Sequence, residues 1–194
     1  MALGRRGFVS VGAAVACCAL AAACTSEPGS ARTAPPTSAA TSPSESQIER
    51  QMRLDYEAAE KAYRDNMAEQ DQLYQAGGAL RATPALKATA TGSYLRITLE
   101  SLRDVRKRGW HAIGAAKIVG VARNRGWRHG RVDLTSCEDN QTVRFIDKSG
   151  GDVTPKGPSL YVQALTVVRE DGRWKVATAL TTKVTTFEGQ PCGL

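Results

Sequence analysis

From Ile48 onward, apolar residues recur every three or four positions, at Ile48, Met52, Tyr56, Ala59, Tyr63 and Met67, and again at Tyr74. That spacing lines them up on one face of a long helix. Ser46-Gln47-Ile48-Glu49 has the form of a capping box, and Gly77-Gly78 supplies the stop. Glu49–Arg53, Glu57–Lys61 and Glu60–Arg64 stand four apart on the solvent side, where opposite charges support a helix. Thr83-Pro84 opens a short second helix that breaks near Thr91-Gly92. A third segment carries Tyr94, Ile97, Leu102 and Val105 on one side. It ends in Arg106-Lys107-Arg108, where positive charge suits the last carbonyls, and stops at Gly109.

Beyond Gly109 the period shortens to two. Trp110 to Arg123 sets Ile113, Val119 and Val121 against Trp110, Ile118 and Ala122, and Asn124-Arg125-Gly126 turns the chain. Arg131 to Cys137 holds Val132 and Leu134, and Glu138-Asp139-Asn140 reads as a polar turn. Thr142 to Asp147 is a short strand with Val143 and Phe145 on one face. Lys148 to Pro158 is a loop rich in Gly, Pro, Asp and Ser. Leu160 to Arg169 is apolar on both faces, and Glu170-Asp171-Gly172-Arg173 is a tight turn. The last strand then sets Trp174, Val176, Thr178, Leu180, Thr182 and Val184 against Lys175, Ala177, Ala179, Thr181 and Lys183. Helices grouped ahead of strands predict an α+β fold: a long N-terminal helix plus one or two shorter helices packed on a curved antiparallel sheet of about five strands.

The residues ahead of this domain change the picture most. Arg5-Arg6 precede an Ala-rich apolar run that is too short to cross a bilayer, which needs about 20 residues. The layout is that of an export signal over residues 1–23. Arg5-Arg6-Gly7-Phe8-Val9 resembles the twin-arginine export motif, the alternative being an ordinary positive n-region. Leu20-Ala21-Ala22-Ala23-Cys24 resembles the lipobox of bacterial lipoproteins, in which the thiol is acylated and the chain is cut before the cysteine. It departs from that pattern in placing Ala21, not a large aliphatic residue, three before Cys24. The alternative is simple cleavage after Ala23. Two acyl chains at roughly 0.8 kcal/mol per methylene give stable anchoring. Residues 24–45 follow as a lipidated cysteine and a linker of mostly Ser, Thr, Pro and Ala with no large apolar side chain. A flexible coil of that length spans about 25 Å. The single domain is then 46–194, held at the extracytoplasmic face of the cell membrane.

Compartment sorts the cysteines. Cys17 and Cys18 leave with the signal and Cys24 takes the lipid, so Cys137 and Cys192 remain in the domain. Two cysteines in an exported domain most simply pair; the alternative is two buried thiols. The chain carries a net charge of +7, and Arg103 to Arg131 holds nine Lys or Arg against one acid, Asp104. This excess favours an acidic partner, a wall polymer or anionic headgroups, or else is a solvated face; nucleic acid is a poor partner outside the membrane. No metal spacing, phosphate loop or nucleophile elbow is present, so no catalytic residue, cofactor or metal site is assigned. His111 and His129 are read as surface residues.

The order of elements, together with Asp171-Gly172-Arg173-Trp174-Lys175-Val176 in the late hairpin, resembles the nuclear transport factor 2-like fold. The resemblance spans roughly 46 to 188 and implies a bent sheet wrapped around a long helix as a cone. The whole chain is also similar to actinobacterial lipoproteins of unassigned function. The cone hosts enzymes as well as binding and scaffold proteins, so the fold assigns no activity. In the ketosteroid isomerase type an Asp base faces a Tyr donor, and here Asp133 and Asp147 are the strand-borne Asp candidates. Tyr56, Tyr63, Tyr94 and Trp174 are the expected pocket-lining residues. Two functions follow: a tethered, non-enzymatic domain that binds a ligand or partner, or a cone enzyme working by acid–base chemistry on a small apolar ligand. A third is an accessory subunit of a membrane complex. An enclosed cavity pairing a carboxylate or His with a Tyr would favour the enzyme.

Overall fold

The computed structural model describes residues 45–192, so Cys24, the signal and most of the linker lie outside the described residues. Helix α1 (Gln47–Gln75) opens with the expected capping box: Glu49 N–H donates to Ser46 Oγ (3.2 Å) and Ser46 N–H to the Glu49 carboxylate (2.8 Å). With Glu49 engaged there, Arg53 pairs instead with Glu45 and Glu57, and Lys61 pairs with Asp65; Arg64–Glu60 forms as read. The predicted stripe is buried at Tyr56, Ala59 and Tyr63 and half-buried at Met67 and Tyr74, whereas Ile48 is 69% exposed. Helix α2 (Pro84–Thr89) is capped by Thr83 Oγ1, and α3 (Gly92–Arg108) ends at Gly109 in the left-handed region.

Six strands follow: β1 (His111–Ile113), β2 (Lys117–Arg123), β3 (Arg131–Asp139), β4 (Arg144–Ile146), β5 (Leu160–Glu170) and β6 (Arg173–Val184). Four form one antiparallel sheet in the order β2-β3-β5-β6, and β1 pairs with β4 separately. The fold is α+β, with helices on one face of a curved antiparallel sheet. The single strand read from Trp110 to Arg123 is thus two, broken at Gly114, whose φ of 81° only glycine adopts readily.

Two bulges bend the sheet and shift its facing. In β2 the pairing slips between Ile118 and Gly120, so Ile118 and Val121, which strict alternation puts on opposite faces, both pack against the core. In β6, Thr178 and Val176 oppose Thr166 and Val167, leaving Ala177 as the extra residue. Val176 is therefore buried, Ala179 takes the inner side after it, and Leu180 is turned out at 73% exposure. The bulge also receives the helices: Thr91 N–H donates to Val176 O (2.9 Å) and Ser93 Oγ to Ala177 O (3.3 Å).

The core joins Tyr56, Ala59 and Tyr63 of α1 to Ala90, Tyr94, Val132, Leu134, Leu165, Val167 and Val176. Along the inner face, rungs Val132/Val167 and Leu134/Leu165 are apolar, Ser136/Gln163 is polar, and Glu138 comes next on β3. Helix α1 follows the same gradient, from Tyr56 and Ala59 to Met67, Gln70 and Asp71. The fold is therefore filled with apolar side chains at one end and walled with polar ones at the other. On the outer face of β3, Cys137 is joined by a disulfide to Cys192, their Cα atoms 5.8 Å apart. Among the described residues no helix is long and apolar enough to cross a membrane.

Candidate functional site

The polar end forms a cavity of about 340 Å³, open to solvent on one side, between α1, α3, the end of β3, β4 and β5. Small-molecule sites run from roughly 300 Å³ upward. Its chemistry centres on Glu138, which is only 2% exposed. Glu138 Oε1 accepts from Gln163 Nε2 (2.5 Å) and from the Tyr63 hydroxyl, which also touches Ser136 Oγ (3.0 Å). Oε2 has no hydrogen-bond partner among the described residues. Burial raises the Glu138 pKa above the usual carboxylate range, more than its two donors lower it, and the nearby Asp71 adds to the rise. Asp71 itself is raised by burial, partly offset by the Ala116 N–H it accepts (3.3 Å).

Further polar groups stand on the wall. Asn140 Oδ1 is buried with no hydrogen-bond partner among the described residues. The Tyr94 hydroxyl accepts from Gln70 Nε2 (3.0 Å), and burial drives its pKa far up, so it stays protonated. The Tyr74 hydroxyl donates to Ser101 Oγ (2.8 Å), and its ring meets Phe145 edge-on at 5.9 Å. Met67, Ile97, Val143 and Phe145 supply the apolar surface.

The four residues expected to line one pocket are dispersed. Tyr94 lines this cavity. Tyr63 stands behind it, wholly buried, with its hydroxyl on Glu138. Trp174 packs against the apolar cluster on β6. Tyr56 lines a second, wider groove of about 700 Å³ with Met52, Arg123 and Trp127. That groove is larger, but most of its polar groups are already engaged, Arg125 being the exception. The Tyr56 hydroxyl donates to Asn124 O, Trp127 Nε1 donates to Asp55 Oδ2 (3.0 Å), and Arg123 lies over the Tyr56 ring. We therefore place the site at the smaller cavity, where acceptors stand unpaired.

Neither Asp candidate faces a Tyr across the cavity. Asp133 is on β3 but points to the other face and accepts from Thr166 Oγ1 (2.8 Å). Asp147 lies past the end of β4, held by the N–H groups of Ser149 and Gly151. His129 is exposed, and His111 sits on β1 beside Arg106 and Lys148. Among the described residues no three His, Cys, Asp or Glu come together as a metal site. The nine basic residues divide between the end of α3, β2 and its turn, and the start of β3. Arg103 donates to Leu80 O, Arg108 pairs with Asp104 over Trp110, and Arg131 pairs with Asp133.

Sequence reasoning misses Glu138 and Asn140 because acids and Asn favour turns, which ends the predicted strand at Cys137, and it passes over Gln163 inside a strand read as apolar on both faces. The signal is present nonetheless: continuing the Val132, Leu134 alternation by two steps puts Ser136 and Glu138 on the inner face.

No protein-family model and no curated protein matches the chain. Among solved structures, it is similar to the intermembrane-space region of chloroplast protein ARC6, at 15% identity and a TM-score of 0.40 over 65% of this chain and 97% of that one. It is similar to Aln2 from a Streptomyces species, at 15% identity and a TM-score of 0.40 over 67% and 90%. A protein from Catenulispora acidiphila gives 15% and 0.40 over 69% and 94%. Likenesses at this level carry no ligand or reaction across to this chain.

Proposed function

We propose that this chain is an extracytoplasmic lipoprotein, tethered through Cys24, whose cone domain binds a small molecule in the cavity around Glu138. The observation that carries the binding reading is Glu138, 2% exposed with Oε2 unpaired among the described residues, on the wall of a half-apolar cavity that Asn140, whose buried Oδ1 also lacks a donor, helps to line. Buried polar groups are normally satisfied, and acceptors left open at a cavity mark where a ligand or water donates. The tether is supported by the lipobox-like Leu20–Cys24 and the Ser/Thr/Pro linker after it. An acidic partner or wall polymer outside the domain finds less support, because several of the basic residues already have local partners.

A second reading, a cone enzyme of isomerase or dehydratase type, is favoured by one observation. Glu138, with its pKa raised by burial, shares the cavity with the protonated Tyr94 hydroxyl. In that reading Glu138 moves the proton and Tyr94 donates to a developing oxyanion. An accessory role in a membrane complex fits the tether but draws on nothing in the cavity.

Ligand-observed NMR with a fragment library tests the binding reading on the mature chain. Fragments should bind the wild-type protein and be lost from Thr98→Leu, which grows into the cavity from α3. Fragment binding untouched by Thr98→Leu would place the ligand elsewhere.

A further inference from the structure

We infer that the cavity is selective for a small organic cation, an ammonium group carried on an aromatic or branched apolar body. This rests on the reading that the cavity binds a small molecule.

Charge is the first argument. The chain as a whole is strongly basic, at +7, yet the cavity wall holds two carboxyl groups, Asp71 and Glu138, and no Lys, Arg or His. Buried carboxylates normally have a cation against them. Here the basic residues lie outside, so the wall has acidic charge without its counter-charge. The raised pKa values of both groups record the same deficit, since each would fall if a cation sat between them.

Hydrogen bonding is the second argument, and it is independent of charge. Among the described residues two acceptors here have no donor, Asn140 Oδ1, which is buried, and Glu138 Oε2, since only Oε1 is engaged; the Tyr94 O–H is the donor left without an acceptor. An ammonium carries three donors and no acceptor. A carboxylate or phosphate would bring acceptors against acceptors and negative charge against two acids. An alcohol brings a single donor.

Shape is the third. A bare metal ion lacks its ligand set among the described residues. A cavity of about 340 Å³ is also far larger than such an ion needs. The rings of Tyr74, Tyr94 and Phe145 offer faces and edges that suit an apolar body and attract a cation placed over them.

A matched series on the mature chain tests this: 2-phenylethylamine, 2-phenylethanol and phenylacetate, titrated by protein-observed NMR into wild type, Glu138→Gln and Asn140→Ala. The amine should bind at least ~10-fold tighter than the alcohol, the scale of one charge-assisted hydrogen bond, and the acid should not bind. Glu138→Gln keeps an acceptor for Tyr63 and Gln163, so it should fold, lose about tenfold in amine affinity and leave the alcohol unchanged. Asn140→Ala removes an unpaired acceptor, so its Tm should hold or rise while amine affinity falls. Equal binding of amine and alcohol, or an amine affinity indifferent to Glu138→Gln, would overturn the ligand class and leave the cavity reading standing. Failure of all three probes, with neutral fragments still lost on Thr98→Leu, would also overturn the class alone. Failure of every fragment, charged or neutral, would remove the cavity reading itself.

Discussion

Glu138 is a side chain whose neighbours disagree about it. Tyr63 and Gln163 donate to one oxygen and favour the charged form, while burial and Asp71 disfavour it, and burial prevails. Its pKa in the fold is therefore above its unfolded value. The stability that goes with this is present below the unfolded pKa and is lost as pH rises through the folded one. Glu138→Gln should accordingly stabilise the free protein at about pH 7, by roughly 1 kcal/mol or ~2–4 °C in Tm. The gain should vanish at about pH 3.5, where the wild-type carboxyl is also neutral. Thermal unfolding at the two pH values checks this, and a gain that persists in acid would mean that Gln packs better for reasons unrelated to charge. At this scale the sequence was silent about Asn140. Nothing in a lone Asn between two polar residues says that its oxygen will be buried unpaired.

At the scale of elements, helices were easier to read than strands, for a physical reason. A helix carries its hydrogen bonds within itself, so Ser46-Gln47-Ile48-Glu49, Thr83-Pro84 and Gly109 mark its ends locally. A strand takes its facing from its partner. The bulge at Ala177 exists only because β6 pairs with β5 out of step, and it exchanges the buried and exposed sets beyond it. Alternation within residues 174–184 could not reveal that Leu180 is turned outward. The same dependence hid the end of β3, whose pairing with β5 runs to Asp139 against Leu160. The junction of α1 and α3 gives a prediction at this scale. Gly78 follows α1 with φ near 79°, and a Cβ there would collide with Leu102 O and Arg106 N of α3. Gly78→Ala should destabilise by about 2–4 kcal/mol, because backbone cannot give way as a side-chain tip can. Gly126 also has positive φ but has open space around it, so Gly126→Ala should cost only about 1 kcal/mol. Denaturant midpoints with unchanged slopes would report both; equal losses would show that φ and not the clash dominates.

Over the whole molecule, the α+β class followed from helices preceding strands, but the position of the cavity did not. It depends on two gradients, along α1 and along β3 and β5, running from apolar to polar in the same direction. Only the assembled rungs show that they coincide. The disulfide acts at this scale, tying the C-terminal tail to the outer face of the sheet across 55 residues of sequence. Removing it as Cys137→Ala/Cys192→Ala should cost about 3–4 kcal/mol on the chain-entropy account. Both cysteines are buried, so the native protein should resist dithiothreitol until denaturant is added. The tether is tested separately: Cys24→Ser should move the protein from the membrane fraction to the soluble one, and retention on membranes would argue for another anchor.

The most direct measurement is a chemical-shift map of the isotope-labelled mature chain titrated with 2-phenylethylamine. The side-chain amides of Asn140 and Gln163 should move together and saturate with a single affinity, while the Trp127 indole N–H, on the wider groove beside Tyr56, stays in place. If the indole moves and those two amides do not, the ligand sits in the other groove and the site assigned to Glu138 is wrong.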